Sequence, residues 1–204
     1  MSRTIFAGIS ICAFTTVFAA SFALPFLKPD FHIQINWISD YAVGRFGWLQ
    51  KVSFISAALG AASLIIGLRM AGPKSWLCNA GLCFLAICVP GLVVSAAFDT
   101  DLPGHAQTQH GVIHVISAGA NFLAILLAQI LISSSFGDDV RWRPFRAVAT
   151  ALTLLTVIGL VAQFVTADAP FSGIVNRVFA GIAMLWLFLA SAWLFKLPEA
   201  TKSA

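Results

Sequence analysis

Two histidines one helical turn apart, His110 and His114, are the residues of this chain whose spacing is best suited to chemistry. An α-helix advances about 100° per residue, so positions i and i+4 share one face. Two imidazoles at this spacing can bind one metal ion, and Asp99 and Asp101, in the preceding segment, could add oxygen ligands. Zinc or another divalent metal held there would activate a water molecule for hydrolysis.

The same stripe of polar residues has other interpretations. Ser117 and Asn121 continue it at i+7 and i+11 from His110, in a helix that otherwise reads as apolar. Polar side chains inside a membrane helix face protein or water, and ionisable ones often mark a functional site. A neutral His could instead hydrogen-bond to a carbonyl and tie two helices together. Three hypotheses stay open: a metal site, a structural network, and a proton-relay or ligand-contact role.

Further candidates lie before the second apolar segment and at the start of the sixth, and they add to those around the fourth. Asp40, Asp99 and His114 are the candidate catalytic groups, with an aspartate acting as base or metal ligand. The candidate ligand contacts are Ser39, Tyr41, Asn121 and Arg177. Arg177 stays cationic, so it needs a counter-charge or the water interface. The sequence predicts either a lipid phosphate or one of four aspartates as its partner: Asp40, Asp99, Asp101 or Asp168.

Composition determines which elements position these residues. Hydrophobic residues make up 59% of the 204 residues and charged residues only 10%, and the mean hydropathy is +0.92. Soluble domains carry about 25% charged residues, so this chain is predicted to lie in a lipid bilayer. Six apolar stretches are long enough to span it. They predict an all-α, polytopic six-helix transmembrane bundle forming one domain over 1–204, with helices at about 4–27, 48–70, 75–98, 110–135, 145–167 and 174–196.

Lys and Arg residues indicate the orientation, because cytoplasmic flanks carry their excess. With the N-terminus inside, eight lie on the inner side: Arg3, Arg69, Lys74, Arg141, Arg143, Arg146, Lys196 and Lys202. Four lie outside: Lys28, Arg45, Lys51 and Arg177. The prediction is N-in and C-in, with every His and five of the eight Asp and Glu residues on the non-cytoplasmic side. The net charge of +4 thus reflects topology, and no basic stripe interleaved with aromatics indicates nucleic-acid binding.

Two local features complete the pattern. Residues 1–23 could alternatively be a cleaved signal peptide, although their apolar run continues to Leu27 and favours an uncleaved first helix. The second helix carries a stripe of small residues that would let a neighbouring helix approach closely: Ser53, Ser56, Gly60, Ser63 and Gly67.

Three motifs in order carry a family resemblance: Ser39-Asp40-Tyr41-Ala42-x-Gly44, Phe98-x-Thr100-Asp101, and His110-Gly111-x-x-His114. Together with an Arg at the start of the last helix, they resemble the bacterial integral membrane family catalogued as domain of unknown function 998. The resemblance covers nearly the whole chain and implies six helices, a bacterial inner (plasma) membrane location and no established activity. The motif positions it carries over are Ser39, Asp40, Tyr41, Gly44, Asp99, Asp101, His110, His114 and Arg177.

Two functions are the main ones compatible with a cluster of His, Asp and Arg at the non-cytoplasmic mouth of the bundle, and transport is a third, less favoured because the sequence shows no clear inverted repeat. One is a metal-dependent membrane hydrolase acting on lipid head groups. The other is a non-enzymatic membrane protein that binds a lipid or another ligand there. The sequence leaves open whether the chain is an enzyme, and it predicts the lipid bilayer, and a lipid ligand, as partners.

Overall fold

The computed structural model describes residues 2–198. Lys202, counted above among the inner basic residues, lies outside the described residues. Six α-helices account for most of the described chain: α1 (Arg3–Leu27), α2 (Gly47–Ala71), α3 (Trp76–Ala97), α4 (Gln109–Ser135), α5 (Arg143–Val165) and α6 (Ser172–Lys196). All six are long and apolar enough to cross a membrane. The predicted all-α, six-helix fold class is confirmed, and the chain is a multi-pass membrane protein.

The helices form a closed bundle in chain order. Each helix packs against the next one, α6 returns to pack against α1, and α6 also contacts α2 and α4. Short connections make neighbours antiparallel, so the loops fall at two ends. We call the end with residues 28–46, 98–108 and 166–171 the histidine end, because all four histidines lie at or near it. The opposite end, with residues 72–75 and 136–142, is called the basic end.

Helix boundaries are set by capping residues and by polar residues at the ends of the apolar segments. Ser75 accepts a hydrogen bond from the Cys78 amide at 3.2 Å and caps α3, and Thr108 accepts one from the Gly111 amide at 3.1 Å and caps α4. Such side chains satisfy amides that a helix start leaves unpaired. The observed ends lie within two residues of the bounds given by hydropathy.

Small residues of α2 let neighbouring helices approach closely. A Cβ at Gly60 would lie 2.9 Å from the Phe14 ring, and one at Gly67 would lie 2.4 Å from a methyl carbon of Leu194. The Ser10 hydroxyl donates to the Gly60 carbonyl at 2.9 Å. Lipid tails are as apolar as the core, so close packing and interhelical hydrogen bonds of this kind hold membrane helices together.

Candidate functional site

The segment 28–46 folds back over the part of the histidine end formed by α1, α2 and α6. It contains a 3-10 turn, Ile38–Ala42, whose residues Asp40, Tyr41 and Ala42 are buried. Lys28, at the end of α1, is buried and donates to the carbonyls of Tyr41 at 3.1 Å and Val43 at 2.5 Å. Its ammonium also lies 3.9 Å from the centre of the Phe31 ring. We call residues 28–46 the cover loop.

Asp40 holds the turn of the cover loop together. Its Oδ2 accepts hydrogen bonds from the Trp37 amide at 2.9 Å and from the Asn36 side chain at 3.2 Å. Burial raises the pKa of Asp40 above its usual value, while those two hydrogen bonds and the nearby side chains of Arg177 and His114 act in the opposite direction. Asp40 is therefore a buried carboxyl group close to both a guanidinium and an imidazole.

Arg177 ties α6 to the cover loop through backbone carbonyls. Its Nη1 donates to Ile33 at 3.2 Å, to Gly173 at 3.1 Å and, at close range, to Asn36. The guanidinium carbon lies 4.8 Å from the centre of the Tyr41 ring, in cation–π geometry. Within residues 2–198 no carboxylate lies within 4.0 Å of Arg177. The aspartate partner considered from the sequence is thus replaced by loop carbonyls.

The first turns of α6 form the seat on which the cover loop rests. Gly173 donates its amide to the Gln34 carbonyl at 2.7 Å, and Asn176 accepts from the Ile38 amide at 3.0 Å. Ser172 accepts from the Trp37 indole at 3.3 Å. The first two of these contacts satisfy backbone groups of the cover loop, which are costly to leave unpaired near a membrane.

A small cavity lies beneath the cover loop, between α1, α2 and α6. Its lining includes Tyr41, Gln50, Arg177 and, from α1, Ser21 and Pro25. The water-sized space is about 10 Å³, which is the room that one water molecule needs. Gln50 is buried and its Oε1 has no hydrogen-bond partner among the described residues. The cavity therefore combines a fixed cation with a buried amide whose oxygen is unpaired.

The polar stripe of α4 faces α3. The His114 imidazole Nδ1 lies 2.8 Å from the Phe98 carbonyl oxygen, and the Ser117 hydroxyl donates to the Gly91 carbonyl at 2.8 Å. Asn121 packs so closely on Gly91 that a Cβ there would lie 2.1 Å from its Oδ1. This arrangement matches the structural-network hypothesis for the stripe.

The predicted metal ligands have separate partners. The exposed His110 ring packs against the Phe98 ring with centroids 5.1 Å apart, so Phe98 engages both histidines. Asp99 pairs with Lys51 at 2.8 Å. Asp101 accepts from the amide and hydroxyl of Thr108 at 2.8 and 2.7 Å. These bonds lower the pKa of Asp101 below its usual value.

Within the described part of the chain, no three His, Cys, Asp or Glu side chains are grouped so that they could hold a metal ion. The set His110, His114, Asp99 and Asp101 therefore stays a prediction without a geometry that supports it. Ser39 is half-buried in the turn next to Asp40. Of the predicted ligand contacts, Tyr41 and Arg177 meet at the cavity, whereas Asn121 lies on the α3 contact.

Sequence reasoning missed Lys28, Gln50, Gly173 and Asn176. Lys28 reads as an ordinary interfacial charge at the end of a spanning helix. Gln50 is a single amide side chain near the start of α2, and one polar residue there is only weak evidence for a site. Gly173 and Asn176 stand close to Arg177 in Ser172-Gly173-x-x-Asn176-Arg177, and that local cluster of polar and small residues was the available signal.

Comparisons with known proteins agree with this architecture at the level of the family. The model for "Protein of unknown function (DUF998)" matches residues 10–193. No curated protein matches the chain, and no solved structure does. The match spans all but the first turns of α1 and the last turn of α6, and it includes the cover loop, its seat and both histidines. The chain belongs to the DUF998 family of proteins of unknown function.

Proposed function

We propose that this protein is a non-enzymatic membrane protein that binds the phosphate head group of a lipid at its histidine end, through Arg177, Tyr41 and Gln50. It lies in the bacterial inner membrane with both termini in the cytoplasm, so the lipid belongs to the non-cytoplasmic leaflet. The observation that carries the proposal is the way in which Arg177 is held.

Arg177 is anchored through one nitrogen and remains able to bind with the others. Its hydrogen bonds to residues 2–198 all leave from Nη1, and the Tyr41 ring supports one side of the guanidinium. Nε and Nη2 stay available as donors. Guanidinium groups bind phosphate through such paired donors, and a cation at membrane depth is costly without a counter-charge. A phosphate group supplies both the hydrogen-bond acceptors and the negative counter-charge that Arg177 needs.

The cavity suits one oxygen atom of such a head group. Its space for a single water molecule matches one non-bridging phosphate oxygen, while the rest of the head group stays at the membrane interface. On the α1 side, Phe22 and Phe26 are 74% and 73% exposed and so face lipid. Gln50, buried at the cavity, donates a second hydrogen bond to the phosphate through its Nε2, because a phosphate oxygen can only accept.

The contacts of the histidine end favour recognition over hydrolysis. Asp99 and Asp101 are engaged by Lys51 and Thr108, and His114 is engaged by the Phe98 carbonyl. A metal hydrolase would need these groups to converge on one point. A cover loop fixed at many polar contacts is instead typical of a preformed binding surface.

Charge distribution supports the proposed orientation. In the described chain the basic end carries seven Lys and Arg residues against two aspartates, Asp138 and Asp139. The histidine end carries four against five aspartates. The positive-inside tendency then puts the basic end in the cytoplasm. Labelling of the His105→Cys variant by a membrane-impermeant maleimide in intact cells would test this orientation. Labelling only after lysis would refute it.

Lipid binding is tested with Gln50→Leu and Arg177→Lys, purified in mild detergent and titrated with phosphatidylglycerol while bound lipid is counted by native mass spectrometry. Each loses a hydrogen bond to a charged ligand, worth about 1.5–3 kcal/mol, so affinity should fall about tenfold or more. Arg45→Gln is the matched control, because Arg45 is exposed at the same end and stacks on Phe46.

Stability separates lost binding from lost folding. Gln50→Leu removes a buried, unpartnered amide oxygen, so its melting temperature should stay the same or rise. Unchanged lipid retention in Gln50→Leu, or equal loss in Arg45→Gln, would contradict the proposal. Inorganic phosphate is the comparison ligand: binding of free phosphate as tight as that of the lipid would mean that the site does not recognise a lipid.

A further inference from the structure

A second groove lies at the opposite end of the molecule, where α5 begins and α6 ends. Its volume is about 330 Å³, at the lower end of the range for small-molecule sites, about 300–1,000 Å³. Val140, Pro144, Trp193 and Leu197 form apolar walls, and Arg141 and Lys196 add two basic side chains. The last described residue, Pro198, closes one side.

The walls of this groove are fixed by contacts within the basic end. The Trp193 indole donates to the Arg141 carbonyl at 3.1 Å and stacks on Phe145 with ring centres 5.5 Å apart. Arg3, at the start of α1, donates to the carbonyls of Leu197 and Pro198. Three segments distant in sequence thus hold the groove open, and a ligand would meet a preformed shape.

The two basic side chains keep donors for a ligand. Arg141 donates hydrogen bonds from Nε and Nη2 to Asp139 and from Nη2 to the Ala71 carbonyl. Its Nη1 is not used in these hydrogen bonds and is available to a ligand. Lys196 is exposed at the last residue of α6. Around them, the basic end carries its excess of five positive charges within the described residues, so the local field favours an anion.

We infer that this groove binds an anionic phospholipid, with the phosphate between Arg141 and Lys196 and the glycerol and first methylenes against Val140, Pro144 and Leu197. The position fits, since α5 begins and α6 ends at the depth of the head groups. Basic pockets between transmembrane helices on the cytoplasmic side are a recurrent kind of acidic-lipid site. The volume admits the head group and the start of one chain, and the acyl tails remain in the bilayer.

The experiment counts lipids that stay bound to the full-length protein in mild detergent, where no bilayer surface charge contributes. The probes are phosphatidylglycerol and phosphatidylcholine, and the variants are Lys196→Gln and Val140→Glu. Val140 is 73% exposed, so a carboxylate there should fold and repel the phosphate. Removing one Lys or Arg contact to an anionic lipid is worth about 1 kcal/mol, so phosphatidylglycerol affinity should fall about fivefold in Lys196→Gln.

Arg69→Gln is the matched control, because Arg69 is exposed at the same end and does not line the groove. It should change retention less than twofold. Equal losses in Arg69→Gln and Lys196→Gln would overturn the inference, since binding would then follow total charge. Retention of phosphatidylcholine as strong as that of phosphatidylglycerol would also overturn it.

Two further outcomes are decisive. If retention appears only after residues 199–204 are removed, the groove is a seat for the end of the chain itself and the inference fails. Gln50→Leu should leave the lipid at this groove in place, and Lys196→Gln should leave the lipid at the histidine end in place. The two proposals can therefore fail independently.

Discussion

Gly173→Ala is the sharpest test of how the cover loop is held. A Cβ at this position would lie 2.6 Å from the Asn36 oxygen, 2.7 Å from the Ile33 oxygen and 2.8 Å from the Ile35 carbonyl carbon. All three are backbone atoms of the cover loop, so no side chain can rotate to make room. The loop itself has to move away from α6.

The magnitude follows from the bonds that this movement breaks. The Gly173 amide would lose its 2.7 Å bond to Gln34, worth about 1 kcal/mol, and Arg177 would lose at least one charge-assisted bond to the loop, worth about 2 kcal/mol. Alanine in place of glycine returns about 1 kcal/mol in helix propensity. The free energy of unfolding should therefore fall by about 2 kcal/mol, and the melting temperature by about 4–8 °C.

Gly181→Ala is the control, because Gly181 lies in the same helix and a Cβ there meets no atom within 4 Å. Its melting temperature in detergent should stay constant or rise slightly. Hydrogen exchange provides the local readout: peptides covering residues 30–44 should exchange faster in Gly173→Ala and be unchanged in Gly181→Ala. If both variants melt together and exchange alike, the cover loop is not seated on α6 as described.

Three further perturbations separate the roles of neighbouring residues. Burial raises the pKa of Asp40, so the folded chain keeps a proton that the unfolded chain loses. The free energy of unfolding should therefore decline as pH rises from about 4 through the folded pKa. Equal pH dependence of this free energy in wild type and Asp40→Asn would refute the prediction. His114→Ala should lower the melting temperature, through its lost bond to Phe98, without changing the metal content measured by elemental analysis; a stoichiometric metal missing from the variant would restore the metal-site hypothesis. Lys51→Gln removes an ion pair to Asp99 whose side chains are 37% and 42% exposed, so the free energy of unfolding should change by less than about 1 kcal/mol; a larger change would mean that the pair is shielded from water.

The transmembrane fold was predictable because its signal is carried by each segment separately. Twenty or so apolar residues in a row define a span whatever the rest of the chain does, and polar residues such as Lys28, Asp99 and Thr108 lie at or near the ends of those spans. Helical phase was equally local. It placed His114, Ser117 and Asn121 on one face, and the structure shows that face against α3.

The partners of the candidate residues were not predictable in the same way. The i, i+4 spacing of His110 and His114 states that they share a face, but one helical turn also separates them along the axis. In the structure the Phe98 ring packs on the outer histidine and the Phe98 carbonyl bonds the inner one. For Arg177, the sequence identifies carboxylates as candidate partners, because only Asp and Glu carry them. It cannot identify backbone carbonyls, because every residue has a carbonyl group and only the fold determines which ones lie near the guanidinium.

Arg177 takes part both in holding the cover loop and in the proposed lipid binding, and the geometry of its planar side chain explains how it can do both. A lysine has one nitrogen, which would be consumed by the loop carbonyls. The guanidinium donates from Nη1 to the carbonyls of Ile33, Asn36 and Gly173 and packs against the Tyr41 ring. Its Nε and Nη2 remain as donors for a ligand at the cavity. The position of the proposed binding group is thereby fixed by the cover loop, so any change that lifts the loop should also displace the guanidinium. Gly173→Ala should accordingly weaken lipid binding as well as stability, although Gly173 is not among the residues lining the cavity.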